Sequence, residues 1–339
     1  MRFPLSLTRT MTTYLLKKKL SRARKFPLVL MLEPLHACNL TCTGCGRIRE
    51  YATTIKDKLT VDECLASVDE CGAPIVSICG GEPMIYPWID ELVAKIIERK
   101  KYIYLCTNGM FTRKKLDKFK PSNHFFWNVH LDGMEASHDK AVEREGVFAE
   151  AIEGIKAAKA AGFLVFTNTT IFRETDMHEI AVLLSYLTEL GVDGFMLSPA
   201  YGYAAVQATN PTGAAEIFMT RDDVHAKFKQ AQQLLAGFRL NTSPVYLEFL
   251  RGERDLRCAA WANPTRNLKG WKGPCYLITD THHKSYQDLV QLTDWDKLGR
   301  GADPRCEHCM VHCGFEPAAV LGLNSRLTDV FKMAAWQLS

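Results

Sequence analysis

No apolar run in these 339 residues approaches the roughly 18 uninterrupted residues that a membrane-spanning helix needs. The first residues also lack the apolar core and small-residue cleavage site of a secretory signal, so a cytoplasmic setting is expected rather than spanning or export. Acid is missing from residues 1–32, where Arg2, Arg9, Lys17, Lys18, Lys19, Arg22, Arg24 and Lys25 give +8; a net charge of +4 then leaves −4 on the remainder. Low-complexity tracts are absent, and a composition 47% hydrophobic and 24% charged supports a substantial buried core rather than disorder. Twelve cysteines would form disulfides in a small secreted domain, but in a chain this long without an export signal they are expected to bind metal or carry chemistry.

Tyr14, Leu15, Leu16 and Leu20 interleave with the N-terminal cations. That pattern suits a short helix on an anionic membrane surface, at the inner face of the cell membrane, with a solvated basic arm as the other reading. No aromatic-and-basic stacking surface follows, so nucleic acid is not an expected partner.

From Pro27 onward, short apolar runs alternate with stretches of helical period, the pattern of repeated β/α units around a parallel sheet. Strands are predicted at 28–32, 75–79, 103–107, 127–131, 165–170 and 194–198, and helices at 60–71, 88–99, 147–161 and 177–190, with Gly72, Gly162 and Gly191 as C-terminal caps. The fold class is α/β, a partial (β/α)6 TIM-like barrel with a small cysteine-rich C-terminal domain. The expected division is a basic arm over 1–26, the barrel core over 27–239, the cysteine-rich domain over 240–323 and a helix or tail over 324–339, with 327–338 as one amphipathic helix.

Chemistry concentrates after the first predicted strand, in Cys38-Asn-Leu-Thr-Cys42-Thr-Gly-Cys45. Close spacing on a loop lets three thiolates converge on an iron-sulfur cubane and leaves a fourth iron open, as a catalytic centre requires; a zinc site or buried free thiols is the plainer reading. One β/α unit later come Gly80, Gly81, Glu82 and Pro83, two glycines that allow close backbone approach and a carboxylate that accepts from an ammonium group. Asn108, His130, Asp132 and Asn168 fall at later strand ends, where barrel active sites gather, although each residue type also caps turns. Cys106 lies beside them: either a small buried residue or a thiol able to quench a carbon radical. Cys64, Cys71 and Cys79 fit helix and strand positions with no chemical role.

The C-x3-C-x2-C motif, with Gly80 to Pro83 in that order, resembles the radical SAM superfamily. The resemblance implies a [4Fe-4S] cluster on Cys38, Cys42 and Cys45, S-adenosylmethionine held partly by Gly80, Gly81, Glu82 and Pro83, and an external electron donor such as flavodoxin or ferredoxin. In the C-terminal region, Cys258-x11-Gly270-x4-Cys275 followed by Cys306-x2-Cys309-x3-Cys313 resembles the extensions that carry a second iron-sulfur cluster. Zinc, with His308 or His312 as a nitrogen ligand, is the alternative there. Over most of its length the chain is similar to the adenosyl-hopene transferases, through strings such as Val68-Asp-Glu-Cys-Gly-Ala-Pro74, Asn263-Pro-Thr-Arg-Asn267 and Cys309-Met-Val-His-Cys-Gly-Phe315. That likeness implies addition of a 5′-deoxyadenosyl radical to the exocyclic alkene of hop-22(29)-ene, a triterpenoid substrate reached from the membrane, with Cys106 as hydrogen donor. A basic arm docking the barrel mouth on lipid would suit such a substrate, and Phe125, Phe126, Phe195, Met196 and Tyr201 are candidates to line an apolar pocket, with core packing an equal alternative. The rival expectations are a radical SAM enzyme modifying a peptide or protein by hydrogen abstraction, and a noncatalytic iron-sulfur or zinc module.

Overall fold

The computed structural model describes residues 2–207, 214–323, 326 and 328–338, leaving aside the side chains of Ile48, Ala214 and Ala215. Six parallel strands, β1 (Val29–Leu32), β2 (Ile75–Ile78), β3 (Tyr102–Thr107), β4 (Phe125–His130), β5 (Leu164–Ile171) and β6 (Gly194–Pro199), lie side by side in chain order. Each falls within two residues of its predicted place, because a buried parallel strand must be apolar along most of its length. Helices α1 (Leu5–Leu20), α2 (Val61–Cys71), α3 (Ile89–Glu98), α4 (Val147–Ala160) and α5 (Met177–Glu189) precede the strands or join them. Thr60 and Glu63 cap α2 reciprocally, an arrangement that contributes about 1 kcal/mol, and Gly72 closes it with φ of 68°.

Alternation along the strands sorts side chains to two faces. Leu30, Val76, Ile103, Leu105, Trp127, Val129 and Val165 pack outward with Leu65, Leu92, Ile96, Ile155 and Leu184 of the helices. Inward, Ile75, Tyr102, Phe126 and Phe166, joined by Tyr104, form an aromatic floor at the N-terminal ends of the strands. Above that floor the lumen becomes polar, with Ser77, Cys106 and Asn128 followed by His130, Asn168 and Ser198.

The basic N-terminal segment is corrected by its location. Leu7 of α1 is buried in the aromatic floor with Phe3 and Met11 packed beside it, so α1 plugs the end of the barrel opposite the strand C-termini and does not dock the mouth. The helix α7 (Asp329–Leu338) braces it: Gln337 Nε2 donates to Phe3 O at 3.1 Å and to Thr8 Oγ1 at 2.7 Å, and the rings of Phe3 and Trp336 meet edge to face at 5.7 Å. Leu327, the start of the predicted terminal helix, lies outside the described residues. Among the described residues, no helix is long and apolar enough to cross a membrane.

Residues after 264 extend the same sheet. β7 (Thr265–Asn267) pairs in parallel with β1, and β8 (Gly270–Pro274) and β9 (Thr279–His283) continue antiparallel beyond it. α6 (His312–Leu321) then packs near the end of β6.

Candidate active site at the open end of the barrel

The loop after β1 carries Cys38, Cys42 and Cys45, and all three are free thiols. Cys42 O accepts Cys45 N–H at 3.0 Å, and Cys38 and Cys42 pack with Leu40, Val142, Val147 and Met110. Burial, with Glu82 and Cys45 adding to it, pushes the Cys38 thiol up to about 12.

The loop is held from beneath by Gly80 and Gly81. A Cβ on Gly81 would stand 1.8 Å from Ala37 O, and one on Gly80, whose φ is 109°, would stand 2.4 Å from Leu35 O. Sequence reasoning expected these glycines to admit a ligand; the backbone that they admit is that of the cysteine loop. Gly81 N–H donates to Leu35 O at 3.2 Å and Glu82 N–H to Ala37 O at 2.9 Å. The Glu82 carboxylate is buried and accepts from Met84 N–H (2.9 Å), Thr107 Oγ1–H (2.7 Å) and Asn108 N–H (2.9 Å), and Pro83 opens the short helical turn behind it. Asn108 in turn donates through Nδ2 to Asn39 Oδ1 at 2.9 Å, tying β3 to the cysteine loop.

On the far wall, His130 Nε2 and Asp132 Oδ2 lie 2.8 Å apart, and Asp132 Oδ1 accepts Thr170 N–H at 2.8 Å. Burial opposes a charge on His130, but Asp132 outweighs it and raises the imidazole above its ordinary value. Asn168 stands opposite His130 on β5. Cys106 faces the lumen on β3, partly accessible, with Sγ 3.3 Å from Ser77 Oγ and accepting Asn128 Nδ2–H at 3.4 Å. Burial raises its thiol above the ordinary value and keeps it protonated.

A cavity of about 700 Å³ opens beyond the ends of β5 and β6, walled by Tyr201, Tyr203, Phe218, Met219, Leu277 and Ile278 and edged by Glu50, Arg173 and Arg305. Of the residues expected to form an apolar pocket, only Tyr201 lines it. Phe125 and Phe195 face the helices, stacked on Phe119 and edge-on to Phe238 respectively, because each is one residue out of phase with the lumen. Phe126 lies in the aromatic floor.

The five C-terminal cysteines converge. Cys258, Cys275, Cys306, Cys309 and Cys313 all line one small cavity with Tyr201, Tyr276, Val311 and Phe315. Gly314 makes room for the first of them, since a Cβ there would stand 2.4 Å from Cys258 Sγ. Burial pushes Cys306 up to about 11 and Cys309 up to about 12. Neither expected histidine lines this cavity: His308 edges the larger one, and His312 Nδ1 lies 3.1 Å from Ser198 Oγ.

Sequence reasoning missed a buried charged group between the two cysteine sets. Arg47 contacts Glu33 at 3.3 Å and Glu50 at 3.1 Å, and Lys272 contacts Glu50 at 3.1 Å. The signal was available, since Glu33 ends an apolar strand and Lys272 sits inside the apolar β8.

Residues 32–187 match the family described as the radical SAM superfamily, and residues 195–333 match a domain of unknown function, DUF3463. The chain is 25% identical over 340 residues to the antilisterial bacteriocin subtilosin biosynthesis protein AlbA of Bacillus subtilis, covering 93% of this chain and 73% of that protein. It is 32% identical over 176 residues to GTP 3′,8-cyclase 1 of Mycobacterium tuberculosis, covering 49% of each. Its fold resembles that of Streptococcus suis SuiB bound to the precursor peptide SuiA, with TM-score 0.63, 16% identity, and coverage of 96% of this chain and 76% of that one.

Proposed function

We propose that the chain is a radical SAM enzyme, residues 32–187 matching that superfamily, and that Cys38, Cys42 and Cys45 hold its [4Fe-4S] cluster. S-adenosylmethionine bound at such a cluster supplies a 5′-deoxyadenosyl radical on one-electron reduction by an external donor of the flavodoxin or ferredoxin class. The donor chemistry fits in kind, three free thiols on one loop with no fourth cysteine there and with Cys38 and Cys42 walled by apolar side chains, although among the described residues no three such groups are gathered closely enough to hold a single metal ion. Glu82 uses three of its roughly four lone-pair sites internally, which leaves one for an ammonium group. Asn108, His130, Asp132 and Asn168 offer donors and acceptors around the lumen to orient the nucleoside and the amino acid carboxylate.

A first reading is addition of the deoxyadenosyl radical to an alkene carbon of a polycyclic hydrocarbon, hop-22(29)-ene, giving adenosylhopane; it rests on the sequence resemblance and on one residue of a lumen that is otherwise polar above its aromatic floor. Cys106 is the observation that carries this reading. Addition leaves a carbon radical one hydrogen atom short of a saturated product. The protonated Cys106 thiol, partly accessible between Ser77 and Asn128, stands ready to give that atom, and one electron and one proton then restore it.

The likeness to AlbA along 93% of the chain favours a second reading, hydrogen abstraction from a peptide or protein. The comparisons support this reading more directly than the first, since AlbA belongs to the biosynthesis of a bacteriocin and SuiB, of similar fold, is bound to a precursor peptide. The two readings part in one experiment, anaerobic incubation with S-adenosylmethionine, reductant and either hop-22(29)-ene or candidate peptides, followed by mass spectrometry. A product heavier by the adenosyl group supports addition. Free 5′-deoxyadenosine with an oxidised peptide and no adduct overturns it in favour of abstraction.

Four of Cys258, Cys275, Cys306, Cys309 and Cys313 are proposed to hold a second iron-sulfur cluster. Convergence of five thiols on one apolar cavity supports this, and the position of His308 and His312 away from it removes the nitrogen ligands of the zinc alternative. Iron, sulfide and zinc analysis of a Cys38, Cys42 and Cys45 triple variant tests it: stoichiometric zinc without cluster absorbance reverses the assignment.

A further inference from the structure

The buried charged group between the two cysteine sets has no role in the chemistry above. Arg47 is two residues beyond Cys45; its Nη2 donates to Tyr276 O at 2.5 Å, and its guanidinium carbon lies 4.0 Å from the Tyr276 ring centroid. Tyr276 follows Cys275 directly. A single side chain thus joins the N-terminal cysteine loop to the C-terminal cysteine cavity. It is also charged where water is nearly absent, with Arg47 3% exposed, Glu33 0% and Lys272 1%.

Such a group is a poor device for fastening two segments together. Desolvating charges costs several kcal/mol per ion, and a well-packed apolar contact of similar volume is often as stable or more so. Glu33 is not optimised as a fastening either: neither of its carboxylate oxygens, nor Arg47 Nε, has a hydrogen-bond partner among the described residues, so charge alone holds that contact. What a fixed cation in a low-dielectric site does well is bias a neighbouring redox equilibrium, because net charge and hydrogen bonding around an iron-sulfur cluster set its potential.

We propose that Arg47, held by Glu33, Glu50 and Tyr276, is a positioning residue that sets the potential of one cluster relative to the other. The inference rests on the two-cluster reading above. Arg47 itself gains and loses no electron. Its charge favours the reduced, more negative form of a nearby cluster, and the Glu33 carboxylate opposes it. The two side chains therefore act with opposite sign, which a purely structural role does not require.

The test uses the full chain, reconstituted anaerobically with iron and sulfide, with midpoint potentials read by EPR-monitored titration. Arg47→Gln is expected to move at least one midpoint to a more negative potential. Glu33→Gln should move the same midpoint to a more positive one, and Arg47→Lys should stay close to the parent. Unmoved potentials, or shifts of the same sign in Arg47→Gln and Glu33→Gln, overturn the inference. If Arg47→Gln fails to hold iron, Glu33→Gln and Arg47→Lys decide it by the same signs. Iron content separates the two levels of the argument: about eight irons per chain are expected for two cubanes, and about four would remove the two-cluster reading and this inference with it.

Discussion

Adding one methyl group at Gly81 tests whether the glycine pair supports the cysteine loop. The new Cβ would lie 1.8 Å from Ala37 O, 2.4 Å from Ala37 C and 2.6 Å from His36 O. All three are backbone atoms, so no rotamer change relieves the overlap, and an ordinary C···O contact of about 3.3 Å requires the loop to retreat by more than about 1 Å. Retreat breaks the hydrogen bonds from Gly81 N–H to Leu35 O and from Glu82 N–H to Ala37 O, at about 1 kcal/mol each, and displaces Cys38 next in the chain. Residual overpacking adds about 1–3 kcal/mol, for a total of about 3–5 kcal/mol, or a melting temperature lowered by roughly 4–7 °C. Gly162→Ala is the comparison: nothing lies within 4 Å of the added Cβ, and with φ of 82° there it carries only a backbone cost of about 1–2 kcal/mol, one that Gly81, outside the left-handed region, does not carry. Iron content after anaerobic reconstitution and thermal melting of both variants are the readouts. Gly81→Ala should bind far less iron than the parent and melt well below Gly162→Ala. A Gly81→Ala protein with full iron and the same melting temperature as Gly162→Ala would refute the reasoning.

Three further perturbations follow from the same contacts. Leu7→Ala removes a side chain only 4% exposed from the barrel floor and should cost about 2–5 kcal/mol in denaturant unfolding; a loss below about 0.5 kcal/mol would contradict the plug assigned to α1. His138 is buried and accepts Asp132 N–H through Nδ1, and burial, then His130, push it down to about 4. The unfolded chain, with an ordinary histidine near 6.5, therefore binds the extra proton between those values, so stability is full above about pH 6.5 and falls by up to about 3 kcal/mol toward pH 4. His138→Gln should flatten that part of the pH profile, and an unchanged slope would remove His138 as its cause. Cys106→Ala should still cleave S-adenosylmethionine yet lose most of the saturated adduct; normal rate and stereochemistry of that product would remove Cys106 as the hydrogen donor.

Much of the barrel was legible because its determinants are local. Strand runs, the Thr60 cap and Gly72, Gly162 and Gly191 each signal an element within a few residues, and the cysteine loop carries its spacing in eight consecutive positions. What escaped depends on distant partners. Phe3, Leu7 and Met11 read as apolar residues scattered near cations, and only the floor built by Ile75, Tyr102, Phe126 and Phe166 gives them a face to bury. Phe125 and Phe126 are alike in composition, yet a single residue of phase sends one to the helices and the other to the lumen. The three-residue β7 carries too little pattern to reveal a parallel pairing with β1 across more than 230 residues. Glu33, just after an apolar strand, and Lys272, within β8, were visible singly, but their partners, Arg47 for Glu33 and Glu50 for Lys272, were not.

The reduced protein's EPR spectrum, recorded anaerobically with and without S-adenosylmethionine, tests the central assignment most directly. A cluster on Cys38, Cys42 and Cys45 with one open iron predicts a spectrum altered by the nucleotide in the parent, and an alteration that disappears in the triple variant lacking those cysteines. A parent spectrum indifferent to the nucleotide, at full iron content, would contradict the account.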